Sequence, residues 1–223
     1  SPDDIGLQLL ENAAATAGAL IGLILMFGGL SGAHFNPVVT LLDRLLGTIT
    51  SRDAAAYIAA QTAGACAGTV LANAMFALPA FEWSTKARSS GPLWLSEVVA
   101  TAGLLLVIHG CVRNGRRDAV PFAVGAWIGG AYWFTSSTSF ANPAVTIART
   151  LSDSFAGIKP GSAPMFVAMG DRDEPYLVDQ IPRAVGELQR SALPRDVQLV
   201  VLLMKPGSTS LLAVLSARPS GPA

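Results

Sequence analysis

Long apolar runs and short segments that begin on a polar residue alternate along this chain. Residues 5–29, 54–78, 93–112 and 119–134 are almost continuously apolar. About 20 such residues in helical form cross the hydrocarbon core of a bilayer, so each run predicts a membrane-spanning helix, the fourth of nearly full length. Thr50 and Ser51 supply an N-cap signal just before the second run. Two further segments, 36–46 and 142–151, predict helices of about ten residues. At 1.5 Å per residue each is about 15 Å long, half a bilayer core.

The two short segments start alike. Asn36-Pro37-Val38-Val39-Thr40 returns as Asn142-Pro143-Ala144-Val145-Thr146. Asn is favoured at a helix N-cap and Pro in the first turn, so each copy predicts a helix start. Three full spans separate the copies. An odd number of crossings brings the half-helices in from opposite membrane faces, with their N-termini and positive dipole ends meeting near the midplane. Broken helices at that depth must line a cavity or be buried in protein. The expected fold is an all-α membrane protein built as an inverted repeat around a midplane site.

Composition supports the membrane reading. The 223 residues are 51% hydrophobic and 13% charged, against about 25% charged in soluble domains. Residues 1–169 hold 18 of the charges and residues 170–223 hold 12, which separates an apolar channel-like part, 1–169, from a divergent tail, 170–223. The net charge of zero offers no electrostatic case for nucleic acid. Cys66 and Cys111 sit in apolar helical stretches and read as reduced core residues. No metal-ligand cluster stands out, and no cofactor is implied. Arg44, Arg52, Arg113, Arg116 and Arg117 fall on one side of the predicted topology, which the positive-inside bias makes cytoplasmic. Ala13, Ala17, Gly18, Gly22, Gly64, Gly68, Gly125 and Gly129 read as close-packing positions between helices.

Ser31-Gly32-Ala33-His34-Phe35-Asn36-Pro37-Val38 resembles the first signature loop of the aquaporin and glycerol-facilitator family, and Ser139-Phe140-Ala141-Asn142-Pro143-Ala144 resembles the second. The resemblance covers about residues 1–168. It implies a channel in the cell membrane, multi-pass and homotetrameric, with one pore per subunit. Asn36 and Asn142 then match the paired midplane asparagines whose amides donate to passing solutes. Capping uses the Asn oxygen and leaves the amide NH₂ free.

The outer filter departs from the family pattern. Val145 occupies the position where strict water channels have Arg. Counting without gaps places the other three ring positions at Thr16, Gly130 and Ser139. A ring of Thr16, Gly130, Ser139 and Val145 has no Arg, His or aromatic side chain, so it is expected to be wide and mildly polar. That suits polyols, urea or undissociated metalloid hydroxides such as arsenous acid, and resembles bacterial members linked to arsenic resistance. Two readings stay open for His34: a vestibule residue, or a packed His bonded to a carbonyl. The resemblance gives Glu97 a structural role, bonding the backbone of the adjoining half-helix loop. Glu11 reads as interfacial, and His109 is given no role.

Against the family pattern, the chain is expected to lack the first span and the last. Residues 162–169 resemble the start of a final span, which Asp171-Arg172-Asp173-Glu174 interrupts. The tail reads as a shifted reading frame, a fused soluble piece or a disordered extension. The leading function is thus a passive channel for water and small neutral solutes. The alternative is a truncated non-conducting fragment or an interaction-only subunit. An enzyme is not expected, since the tail offers no catalytic constellation.

Overall fold

The computed structural model describes residues 4–164, and these are helices and loops without strands. Six α-helices follow in order: α1 (Ile5–Ser31), α2 (Pro37–Leu45), α3 (Ser51–Met75), α4 (Gly91–Arg113), α5 (Val120–Phe134) and α6 (Pro143–Ala148). A 3₁₀ turn, Arg149–Leu151, extends α6. The readings of the tail, residues 170–223, lie outside the described residues.

Local chemistry sets the ends of these helices. Asp4 caps α1, its Oδ1 accepting from the Leu7 N–H at 2.9 Å. Gly32, at φ 73°, closes α1 in the left-handed conformation that Gly adopts without penalty. Thr50 caps α3 by accepting from the Asp53 N–H at 3.1 Å. Asn36 and Asn142 cap α2 and α6, each followed by Pro at the first helical position. With its 3₁₀ turn, α6 is about 15 Å long, and α2 about 14 Å.

Helices α1, α3 and α4 are long and apolar enough to cross a membrane. Helix α5 has 15 residues, about 22 Å, and is shorter than the fourth predicted run because a separate 3₁₀ turn, Arg117–Ala119, precedes it. Its Pro121 lies in the first turn, where no N–H is needed. Of α1 only Ala13 is buried, while Leu23, Leu25, Met26 and Leu30 are exposed. A helix apolar on every face with its large side chains outward is matched to lipid, where that exposure costs nothing.

Helix α5 packs between α1 and α4, and α3 packs against α2 and α6. The main core joins Ala13 of α1, Ala100 and Leu104 of α4, and Val124, Ile128 and Ala131 of α5. A second cluster seats Val39 and Leu42 of α2 on Leu105 of α4. The small residues divide. Gly125 and Gly129 do allow close approach: an added Cβ at 125 would stand 2.5 Å from Ile21 Cγ1, and one at 129 would stand 3.2 Å from Ala17 Cβ. Gly18, Gly22, Gly64 and Gly68 have nothing within 4 Å of such a Cβ. Their expected close packing is not made within the described residues.

Among the described glycines the closest approach is at Gly103 on α4. The Trp127 indole of α5 lies over it, and Trp127 Nε1–H donates to the Ala100 carbonyl at 2.9 Å. An added methyl would fall inside the ring. Gly103→Ala is therefore expected to cost about 2–3 kcal/mol through overpacking, read as a lower unfolding midpoint in detergent. Trp127→Leu in the same chain should recover part of that loss; no recovery would locate the strain elsewhere.

On the face opposite the basic loops, residues 82–88 lie along the segment that follows α6. Glu82 and Ser84 N–H groups donate to Leu151 and Thr150 carbonyls, and the Lys159 N–H donates to Lys86 O. Arg88 pins this strap: Nε donates to Gly157 O at 2.9 Å and Nη2 to Phe155 O at 3.0 Å. Burial, and then the like charge of Arg149, hold the Arg88 guanidinium below its ordinary pKa. Asp153 bonds the Thr85 N–H and hydroxyl, both at 2.9 Å, which hold its carboxyl below the usual value.

Candidate functional site

The two half-helix starts meet and clasp. Asn36 Oδ1 accepts from the Val38 N–H at 3.0 Å, while its Nδ2 donates across to the Ala141 carbonyl at 2.7 Å. Asn142 mirrors this. Its Oδ1 accepts from the Ala144 and Val145 N–H groups, and its Nδ2 donates to the Phe35 carbonyl at 2.8 Å. The amides were expected to be wholly free for solutes. Instead each commits one proton to the other loop and keeps one.

The loops before the two asparagines share a backbone path. Four, three and one residues before Asn36 stand Gly32, Ala33 and Phe35, at φ 73°, 49° and 47°. At the same offsets before Asn142 stand Thr138, Ser139 and Ala141, at φ 64°, 49° and 46°. Five of these six are not Gly, and each such residue costs roughly 1–2 kcal/mol in this region. The cost is met by the partners that hold the second loop. Glu97 of α4, 4% exposed, accepts from the Phe140 N–H at 3.0 Å and the Ala141 N–H at 2.6 Å. Both carboxylate oxygens are thus spent on the loop, the arrangement expected for Glu97.

A cavity of about 700 Å³ runs past this clasp. One wall is apolar and striped every fourth residue: Leu20 and Ile24 on α1, Leu104 and Ile108 on α4, Val124 and Ile128 on α5. Fourfold spacing keeps residues on one helix face. The other wall is made by the two loops and by Asn36 and Asn142. Solutes meeting these walls would find amide and backbone groups on one side and hydrocarbon on the other. Pro37, Val38, Pro143 and Ala144 hold the half-helix starts behind that lining and are not themselves part of it.

At the basic end the lining includes His34, Asp43, His109 and Arg117. His34 Nε2 lies 3.0 Å from Asp43 Oδ2, and Nδ1 lies 3.1 Å from Thr40 Oγ1. His34 thus lines the cavity and contacts a carboxylate and a hydroxyl. His109, given no role from the sequence, reaches the same carboxylate at 4.0 Å. Glu11 is exposed on the first turns of α1.

At the opposite end the expected ring needs correction. Thr16, Ser139 and Val145 line the cavity, but Gly130 does not; it is exposed on the outer face of α5. The lining stripe of α5 continues from Ile128 to Tyr132, and position 130 lies two residues, about 200°, off that stripe. An Arg and a Tyr also line the cavity near these residues. Arg149 stands four residues beyond Val145, one turn further on the same face, and lines the cavity. Its Nη2 donates to Tyr132 Oη at 2.9 Å, and its guanidinium lies 4.6 Å from the centre of the Phe140 ring. Tyr132 Oη lies 3.1 Å from Thr16 Oγ1 and donates to Asn12 Oδ1 at 3.3 Å. The α5 stripe and the position one turn after Val145 were the sequence signals for both residues.

The family profile described as Major intrinsic protein matches residues 2–135. Over 164 residues, 74% of this chain and 70% of the relative, the sequence is 52% identical to Aquaglyceroporin AqpS of Rhizobium meliloti (strain 1021). It is 33% identical over 135 residues, 58% of the chain and 47% of the relative, to Aquaporin NIP1-3 of Oryza sativa subsp. japonica. It is 31% identical over 155 residues, 65% of the chain and 63% of the relative, to Probable aquaporin AqpM of Archaeoglobus fulgidus. The chain therefore spans from about half to 70% of the length of these relatives. The profile match ends before the second Asn-Pro segment, yet the loop there repeats the positive φ values of the first loop at three matching positions. Two half-helices clasped beside a striped cavity, and the matches across most of that fold, place this multi-pass membrane protein in the major intrinsic protein family.

Proposed function

We propose that the chain forms a passive channel for water and small neutral solutes, among them glycerol, urea and undissociated metalloid hydroxides such as arsenous acid. The observation that carries this reading is the reciprocal clasp of Asn36 and Asn142 beside the cavity. It leaves one amide proton on each Asn and sets two helix N-termini against each other. Those positive ends oppose cations and protons, while the remaining protons serve an acceptor oxygen in transit. The names of the AqpS and AqpM relatives agree with a channel role. A homotetramer accompanies the proposal, and the unfilled faces at Gly18, Gly22, Gly64 and Gly68 suit close helix contact between subunits.

The test is light-scattering swelling of liposomes holding the full chain, with water, glycerol, urea and arsenous acid gradients. Flux of water and at least one of the solutes above the rate of empty vesicles is expected. Flux equal to empty vesicles for all four would overturn the channel reading in favour of a non-conducting fragment or an interaction-only subunit. Val145→Arg should then slow the larger solutes more than water; equal slowing would remove Val145 from the filter.

A further inference from the structure

Two buried polar atoms at the outer end of the cavity have no partner among the described residues: Arg149 Nη1 and Ser139 Oγ. Both residues line the cavity, and Ser139 is 2% exposed. An unpaired buried donor or hydroxyl costs about 1–3 kcal/mol, so their survival here asks for a compensating ligand. Arg149 is also held in place. Its other terminal nitrogen is taken by Tyr132 Oη, its plane lies over the Phe140 ring, and Tyr132 is itself tied to Asn12 and Thr16. A guanidinium braced in this way loses little freedom when it binds.

We propose that Arg149 and Ser139 form a solute-reading pair that favours a small neutral amide over a polyol of similar size. Arg149 offers only donors and needs an acceptor, and a carbonyl oxygen is the strongest neutral one. Ser139 Oγ can accept from the amide N–H₂ of the same molecule. A polyol hydroxyl is a weaker acceptor, and a cation is repelled. The filter is therefore selective by hydrogen-bond pattern, with its guanidinium one helical turn beyond Val145.

This inference rests on the channel reading, and one experiment separates the two. The full chain in phosphatidylcholine–phosphatidylglycerol liposomes is challenged with urea, acetamide and glycerol gradients, and the ratio of amide to glycerol flux is read. The native chain should favour the amides. One hydrogen bond of about 1 kcal/mol corresponds to about a fivefold change. Arg149→Met and Ser139→Ala should each lower the amide-to-glycerol ratio by about that factor. Arg149→Lys keeps the charge but loses the fork, and should lower it as well. A conducting native chain that prefers glycerol, or a ratio unmoved in both Arg149→Lys and Ser139→Ala, would overturn the pair and leave the channel standing. A native chain silent to every solute and to water would overturn both.

Discussion

Glu97→Leu is expected to abolish flux and to lower unfolding stability by about 2–6 kcal/mol. The carboxylate accepts from the Phe140 and Ala141 N–H groups, and all three residues are buried. Leucine fills similar space but removes the acceptor of two buried N–H groups, at about 1–3 kcal/mol each. The damage does not stop there. Ala141 sits at φ 46° and its carbonyl receives the Asn36 amide. Once its N–H is released, nothing on α4 holds that residue in a region costly for a side chain, and the clasp loses its acceptor. Glu97→Gln should be milder, since one amide oxygen still accepts while the NH₂ faces the second N–H. Unfolding in detergent and liposome swelling would check both variants. A Glu97→Leu chain with native stability and flux would show that the loop holds its own shape.

Removing the clasp itself is expected to give the second large effect. Asn36→Ala loses an N-cap, about 1 kcal/mol, and a buried cross-loop hydrogen bond, about 1 kcal/mol more. Asn142→Ala should cost as much or slightly more, because its contacts mirror those of Asn36 with one further N–H, that of Val145. The double variant should cost less than the sum by about 1 kcal/mol, since either single change already loosens both loops. Strict additivity would mean that the two bonds act independently. Asn36→Asp should be worse than Asn36→Ala for the contact at Ala141. It sets a carboxylate oxygen against a carbonyl oxygen where a donor now lies 2.7 Å away.

Much of this arrangement was legible because the sequence repeats itself where the physics is strictest. Asn36 and Asn142 each precede a Pro at the start of an apolar segment, and only a capped helix start satisfies both residues. The role of Glu97 came from the family resemblance, since a carboxylate in an apolar run reads by itself as a functional candidate. The outer end was harder to read. Val145 and Ser139 sit beside the repeat and were placed with it. Gly130 was counted across the turn after α5, where a difference of two residues carries a position to the far side of the helix. Tyr132 was given no role, yet its hydroxyl joins three helices by bonding Thr16, Asn12 and Arg149. Arg149 lies outside the repeated segment and was given no role. Its bond to Tyr132 Oη and its place over the Phe140 ring show that the guanidinium is drawn inward.

The clasp also has a consequence for how the chain is made. Asn36 bonds a carbonyl 105 residues further along. At a synthesis rate of 5–20 residues per second, that partner arrives on the order of 5–20 s later. Throughout this interval the first half-helix has no protein acceptor for its amide, and the Phe35 carbonyl still awaits Asn142. Water at the membrane surface is the available substitute. Entry of α2 to the midplane is thus expected to be a late event, timed by the emergence of α6, so that the two ends of the pore are folded together or not at all.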